Sequence, residues 1–128
     1  MQREPMIGDA VEQVLKFLQQ RLEDLQAAGV AKARICLDPG IGFGKTGEHN
    51  FALLREQSRL MVLGYPLLAA WSRKSSLGAV TGLDVQDRLV PSVAAAVLAV
   101  ERGARLVRVH DVAAAVAALQ VWQAGSQV

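Results

Sequence analysis

Ala33-Arg-Ile-Cys-Leu-Asp-Pro-Gly-Ile-Gly-Phe-Gly-Lys-Thr-Gly47 is the stretch that decides the fold. Ala33 to Asp38 is a short run closed by Pro39-Gly40, and it reads as a buried strand. Gly42 to Gly47 then forms a loop, and Asn50 stands where it caps a helix running to about Leu63, stopped by Gly64 and Pro66. A strand that leaves through a glycine-rich loop into a helix is one β/α unit. Working outward, the unit recurs. Leu67-Leu-Ala-Ala-Trp71 reads as a second strand with the polar exit Ser72-Arg-Lys-Ser75, followed by a loop holding Gly78 and Gly82. Pro91 is tolerated only in a first helical turn, so a third helix is expected from about there to Arg102, after a turn at Asp87–Leu89. Gly103 ends it, Leu106-Val-Arg-Val-His110 is the third strand, and Val112 to Gln123 the last helix. Upstream, Asp9 caps a helix over Val11 to Ala28. Val11, Val14, Leu15, Leu18, Leu22 and Leu25 keep helical spacing there, and Gly29 sits at the C-terminal cap.

The expected order is α-β-α-β-α-β-α, an α/β chain with three strands and four helices. Each strand-to-strand passage contains a helix, so the strands should be parallel with right-handed crossovers. At 128 residues the chain reads as a single domain, and no repeat, low-complexity segment or linker divides it. A hydrophobic content of 52% and a mean hydropathy of +0.24 argue against disorder. Fourteen basic against twelve acidic residues, a net charge of +2, is too balanced to imply a nucleic-acid or membrane partner. Aromatics at 5% are too few for a base-stacking platform.

The single cysteine, Cys36, excludes an internal disulfide and a multi-cysteine metal site, fits a reducing compartment, and reads as a small buried apolar residue. Met1 to Ala10 has no apolar secretory core, and the longest apolar run, Val93 to Val100, is too short to span a bilayer. The expectation is a soluble cytoplasmic protein.

In parallel α/β folds, sites form at the carboxyl ends of the strands. Here each expected strand ends in chemistry: Asp38 on the first, Ser72-Arg73-Lys74-Ser75 on the second, Arg108 and His110 on the third. Period-two geometry puts Arg108 and His110 on one face, and Cys36 and Asp38 on one face of theirs. A carboxylate, an ammonium, a guanidinium and an imidazole converging on one rim suit an acidic or phosphorylated ligand. The competing reading is that strand-end charges are merely solvated and that Asp38-Pro39 is an ordinary turn.

Gly42-x-Gly44-x-x-Gly47 sits where a dinucleotide fingerprint would, but the acid expected about 20 residues on is replaced by Gly64, Tyr65 and Pro66. Gly44-Lys45-Thr46 is like the end of a phosphate-binding P-loop, yet Pro39 occupies the place of its first glycine. The loop reads instead as a flexible strand exit. His49 reads as a surface residue, Trp71 and Trp122 as packing residues, and the Ala-rich Val93 to Val100 as a closely packed or interfacial helix.

Leu37-Asp-Pro-Gly-Ile-Gly-Phe-Gly-Lys45, Ser72-Arg-Lys-Ser75 and Arg108-Val-His-Asp111 together resemble three successive signatures of the dihydropteroate synthase family, in register from about Ala27 to Trp122. Met1-Gln2-x-x-Pro5 is similar to the family's segment after its fifth strand. The resemblance implies a partial (β/α)8 TIM barrel, the C-terminal half of a pterin-binding domain. It implies an enzyme of folate biosynthesis that condenses 6-hydroxymethyl-7,8-dihydropterin pyrophosphate with p-aminobenzoate to 7,8-dihydropteroate and pyrophosphate. Residue by residue, it implies that Asp38 and Lys74 bind the pterin, that Arg108 and His110 hold the departing pyrophosphate, and that Phe43 and Ser75 form part of the p-aminobenzoate pocket. Lys74, Arg108 and His110 are the implied catalytic residues, Arg73 supports loops, and sulfonamides would compete with p-aminobenzoate.

The family also uses Mg²⁺, held partly by an N-terminal asparagine for which this chain has no counterpart, so no metal ligand is expected here. Another pterin-binding aspartate and asparagine and a mobile-loop arginine likewise precede the matching region, and Pro91 stands where a glycine is common. Eight strands and about 250 residues make such a barrel. A three-stranded sheet leaves two open edges and a lumen face lined by Leu68, Ala70 and Leu106. A homo-oligomer is therefore expected, and the resemblance implies a dimer through the last helices, which agrees with the Ala-rich third helix. Three functions stand open: half of a synthase, inactive alone; a non-catalytic pterin- and anion-binding or assembly module; and a nucleotide-phosphate binder using Gly42 to Gly47.

Overall fold

The computed structural model describes residues 9–42 and 46–126. The expectations that fall on Met1–Pro5 and Phe43 lie outside the described residues. Helix α1 spans Ala10–Ala27 and starts as its sequence dictates. The Asp9 carboxylate accepts hydrogen bonds from the Val11 and Glu12 N–H groups at 3.0 and 3.1 Å. At the other end Gly29 takes φ +84, the Gly29 N–H donates to the Gln26 carbonyl and the Val30 N–H to the Leu25 carbonyl. This paired closure needs a left-handed residue, which glycine supplies without a Cβ clash. Ala10, Val11, Val14, Leu18 and Leu22 form the buried face.

The first expected strand is nearly absent. Lys32–Arg34 is a 3₁₀ turn, and the segment touches the sheet through one parallel bridge, Leu37 to Leu67. Two backbone bonds make it: the Leu37 N–H donates to the Pro66 carbonyl at 2.9 Å, and the Leu68 N–H to the Leu37 carbonyl at 2.8 Å. Ile35 and Leu37 are buried while Cys36 and Asp38 are exposed, so the period-two alternation holds although the ladder does not. Cys36 is thus exposed, contrary to the expectation of a buried thiol, because the alternation turns Ile35 and Leu37 into the core and Cys36 to the other face.

Helix α2 is Gly47–Arg55, and its cap is Thr46, not Asn50. Thr46 Oγ1 accepts from the His49 N–H while His49 Nδ1 accepts from the Thr46 N–H, a capping box that makes His49 a structural residue rather than a bystander on the surface. The long helix expected to reach Leu63 breaks at Glu56, and Gln57–Leu63 continues as a 3₁₀ turn ended by Gly64 at φ +78. Gln57 is buried and donates to the Ala99 and Arg102 carbonyls, which satisfies the end of a later helix.

Strand β1 is Leu67–Ala69 and strand β2 is Ala104–Val107, paired parallel with Leu67 opposite Ala104 and Ala69 opposite Val107. Both are shorter than expected, and β2 begins earlier, at Ala104; the Arg108 N–H still donates to the Ala69 carbonyl at 2.9 Å. Where a loop was expected, Ser75–Thr81 forms helix α3, ended by Gly82 at φ +75. Gly78 is accommodated within it because the Arg88 guanidinium occupies the space a side chain would need. Helix α4, Leu89–Glu101, carries Pro91 in its first turn as expected, and α5, Val112–Ser126, closes the order.

Helix α1 packs on α2 and the 57–63 turn, while α4 packs on β2 and α5. Their apolar faces meet Leu37, Leu67, Ala69, Trp71 and Ala104 in one core, with Phe51 tilted against Trp71 at 5.1 Å. On the opposite sheet face Leu106 is 46% exposed and Leu68 half-buried, whereas Ala70, expected beside them, is buried. No helix among the described residues is long and apolar enough to cross a membrane.

The Asp9 cap yields a signed prediction. The Glu12 N–H and the Arg59 charge hold its carboxyl below the usual carboxylate range, against partial desolvation. Its contribution is therefore complete above the ordinary value of about 3.9 and lost as pH falls through the lowered one. Asp9→Ala should lower the thermal midpoint at neutral pH, Asp9→Asn should recover most of it, and the deficit of the Ala variant should shrink in melts run below about pH 4.

Candidate functional site

Three parallel chain segments end on one edge, and their polar residues follow in the same direction. Asp38 follows the Leu37 bridge, Ser72 to Ser75 follow β1, and Arg108 to His110 follow β2. The Asp38 carboxylate turns back to accept from the Gly40 N–H at 2.8 Å, which folds the Pro39-Gly40 turn over the rim. Lys74 reaches across from the second end and donates from Nζ to the Ile41 carbonyl at 2.8 Å. Gly42, at φ +89, lies beside it, and a Cβ there would sit 3.4 Å from Lys74 Cδ.

Lys74 registers the convergence electrostatically. Burial pushes its ammonium below the usual lysine range, the Arg108 charge pushes the same way, and Asp38 opposes both. The three ends thus bring Lys74 within the fields of both Asp38 and Arg108. Cys36 faces the same rim; partial desolvation and the Asp38 charge push its thiol up, which suppresses the nucleophilic thiolate.

Asn50 is the residue whose role the sequence misassigned. It is 1% exposed, accepts from the Gly42 N–H at 3.0 Å and donates to Ser76 Oγ at 2.9 Å. One buried amide therefore fastens the glycine loop to the first turn of α3, where Ser75 lies exposed. The signal was present: Asn50 shares the buried helical face of Leu53, Leu54 and Gln57.

The second end is held with comparable redundancy. Arg73 adopts φ +59, which a side-chain-bearing residue rarely does. Its N–H donates to Ser92 Oγ at 2.8 Å, its carbonyl accepts from the Arg88 guanidinium at 3.0 Å, and its own guanidinium pairs with Asp111 at 3.3 Å. Ser72 Oγ contacts both the His110 N–H at 3.2 Å and His110 Nδ1 at 2.7 Å. These bonds hold the elbow at Arg73 between Ser72 and Lys74. A separate hollow lined by Met61, Gly64, Tyr65, Pro66 and Arg105 opens at the amino-terminal end of the strands, away from this rim.

Parallel β/α units with their polar residues gathered at the carboxyl ends of the strands have the arrangement of a barrel wall. The family model described as "pterin binding enzyme" matches residues 1–110, and the chain belongs to that family. Within it, the similarity is to dihydropteroate synthases. The chain is 50% identical over 126 residues to that of Neisseria meningitidis serogroup C, covering 97% of this chain and 44% of the relative. The crystal structure from Stenotrophomonas maltophilia, with imidazole in its active site, is 52% identical and superposes with a TM-score of 0.96 over 100% of this chain and 49% of its own. The Xanthomonas albilineans enzyme in complex with 7,8-dihydropteroate is 49% identical at a TM-score of 0.95, over 97% of this chain and 48% of its own. The chain spans about half the length of these relatives and forms a partial barrel.

Removing the Asn50 amide should expose how much the loop depends on it. Asn50→Ala should cost about 1–3 kcal/mol in urea unfolding, because Ser76 loses a buried partner. Amide exchange at Gly42 should accelerate more than at Leu68, whose bond is to backbone.

Proposed function

We propose that this chain supplies one wall of a dihydropteroate synthase active site, the wall that receives the diphosphate and part of the pterin and p-aminobenzoate. The observation that carries the reading is the meeting of Asp38, Lys74 and Arg108 at the carboxyl ends of three parallel segments, the place where barrel enzymes do chemistry. In this reading Asp38 accepts from ring N–H groups of the pterin and Lys74 contacts the ring from the next strand. Arg108 and His110 take the pyrophosphate. Ser75 meets the p-aminobenzoate carboxylate and Phe43 lines its pocket.

The chemistry follows from charge. As the C–O bond to pyrophosphate breaks, negative charge accumulates on the leaving group and the pterin methylene becomes cation-like. Cations fixed at the leaving group therefore stabilise the transition state more than the bound substrate, and the Asp38 carboxylate favours the positive side of the split. The aryl amine then captures the carbon, and no covalent enzyme intermediate is needed.

Mg²⁺, which the family resemblance implies, does not fit the side chains of this wall by themselves. Among the described residues no three His, Cys, Asp or Glu side chains gather, and Lys74 and Arg108 make the rim cationic. A sulfonamide would compete where p-aminobenzoate binds.

We propose further that turnover requires more barrel than this chain supplies, since the described residues form two strands and one bridge where a barrel uses eight strands. Purified chain given pterin pyrophosphate, p-aminobenzoate and Mg²⁺ should form no dihydropteroate, and measurable product would overturn this. Calorimetry should still detect pyrophosphate, with Arg108→Ala weakening it roughly 10–100-fold, the magnitude of a charged hydrogen bond. Heat from pyrophosphate without turnover is also what a non-catalytic binding module would give. Product formation on addition of a polypeptide carrying the rest of the barrel separates the two.

Self-association is the second expected property. Leu106, Val112, Val116 and Val121 are exposed on the sheet face and on α5, and a second copy of this chain presents the same apolar surfaces to cover them. Sedimentation at micromolar concentration should show a species heavier than a monomer; a monodisperse monomer would refute it.

A further inference from the structure

We propose that Ser72 is a positioning residue that fixes the tautomer of His110, so that the imidazole presents an Nε2–H donor to an anionic ligand at the rim. The argument is one of donors and acceptors. Ser72 is buried, and among the described residues its hydroxyl has two hydrogen-bond contacts, both from one residue: the His110 backbone N–H at 3.2 Å and His110 Nδ1 at 2.7 Å. The backbone N–H can only donate, so Ser72 Oγ accepts there. The hydroxyl has a single hydrogen, and Nδ1 is the one acceptor with which it forms a hydrogen bond among the described residues, although Ser92 and Asp111 line the same small hollow.

If Nδ1 carried the proton instead, Oγ would accept twice and a buried hydroxyl hydrogen would have no partner, an arrangement folded proteins avoid. Nδ1 is therefore the unprotonated nitrogen of the neutral ring, and Nε2 carries the hydrogen. His110 is exposed, and no described residue takes a hydrogen bond from Nε2. The free donor is left for a ligand. Ser72 is itself set at the end of β1 by the Arg73 elbow, so the sheet places the hydroxyl and the hydroxyl sets the ring.

His49 supplies an internal reference. Its Nδ1 accepts from the Thr46 N–H, so it too must be an Nε2–H tautomer when neutral, for a reason unconnected with Ser72. The chain has two histidines, and both are thereby assignable.

The test is long-range ¹H–¹⁵N spectroscopy on the full chain, read at the alkaline end of a titration. In the wild type both rings should show the Nε2–H pattern. In Ser72→Ala, His110 should move to averaged nitrogen shifts while His49 keeps its own, which also reports that the fold is intact. Ser72→Thr, which keeps the hydroxyl, should restore the wild-type pattern. A wild-type His110 protonated at Nδ1 overturns the proposal without any variant, as does an Ala variant whose His110 pattern is unchanged.

The ligand half rests on the synthase-wall reading. It is probed with inorganic pyrophosphate, whose affinity should fall roughly fivefold in Ser72→Ala, about one neutral hydrogen bond, and recover in Ser72→Thr. A wild type with the Nε2–H pattern that binds no pyrophosphate upholds the Ser72 assignment and overturns the anion reading. Pyrophosphate binding that is equal in wild type and Ala variant overturns the positioning role.

Discussion

The parallel backbone register from Leu37 through β1 to β2 is the constraint on which the rest depends. Leu37 pairs with Leu67, and Leu67 with Ala104, so three segments widely separated in sequence run side by side in one direction. Parallel strands deliver all their carboxyl ends to one edge, and each passage back is long enough to carry its own helix. Because of that register, the Lys74 ammonium feels the charges of both Asp38 and Arg108, which lie at the ends of the neighbouring segments. An antiparallel arrangement would scatter the same residues to opposite ends of the sheet.

Beyond the strands, irregular backbone is held by side chains. Arg73 sits in a conformation that costs energy for a non-glycine residue, and three partners from distant parts of the chain over-determine it: Ser92, Arg88 and Asp111. Strain of this kind persists only where surrounding contacts compensate it, and it places Ser72 and Lys74 on opposite sides of one sharp elbow. The left-handed Gly42 and the buried Asn50 do the equivalent work for the glycine loop. Site precision here is a property of polar clamps laid over a short sheet.

What could be read in the sequence divides along the same line. Helices α1, α4 and α5 were legible because their apolar spacing and cap residues are local signals, as Asp9 and Gly29 show. The order of parallel units and the three polar ends were legible too, since one follows from helix placement and the other from which residues end each apolar run. The Ala33–Asp38 segment reads as a buried strand because it is a short run closed by Pro39-Gly40, and in the structure its side chains do alternate. Alternation reports which face is buried and says nothing of how many backbone bonds are made. Asn50 suits a cap by residue type, whereas Thr46 with His49 performs that task. Ser92 and Arg88 could not be found at all, since their partner Arg73 is 19 and 15 residues away and no spacing rule links them.

The single bridge at Leu37 has a mechanical consequence. Two walls of the rim are built on paired strands, but the wall carrying Asp38 is joined to them by two backbone bonds and then by the side chains of Asn50 and Lys74. Stiffness around the site is therefore unequal. The Asp38 wall depends for its place on side-chain bonds and on the burial of Ile35, Leu37 and Ile41, where the other two depend on their strand pairing.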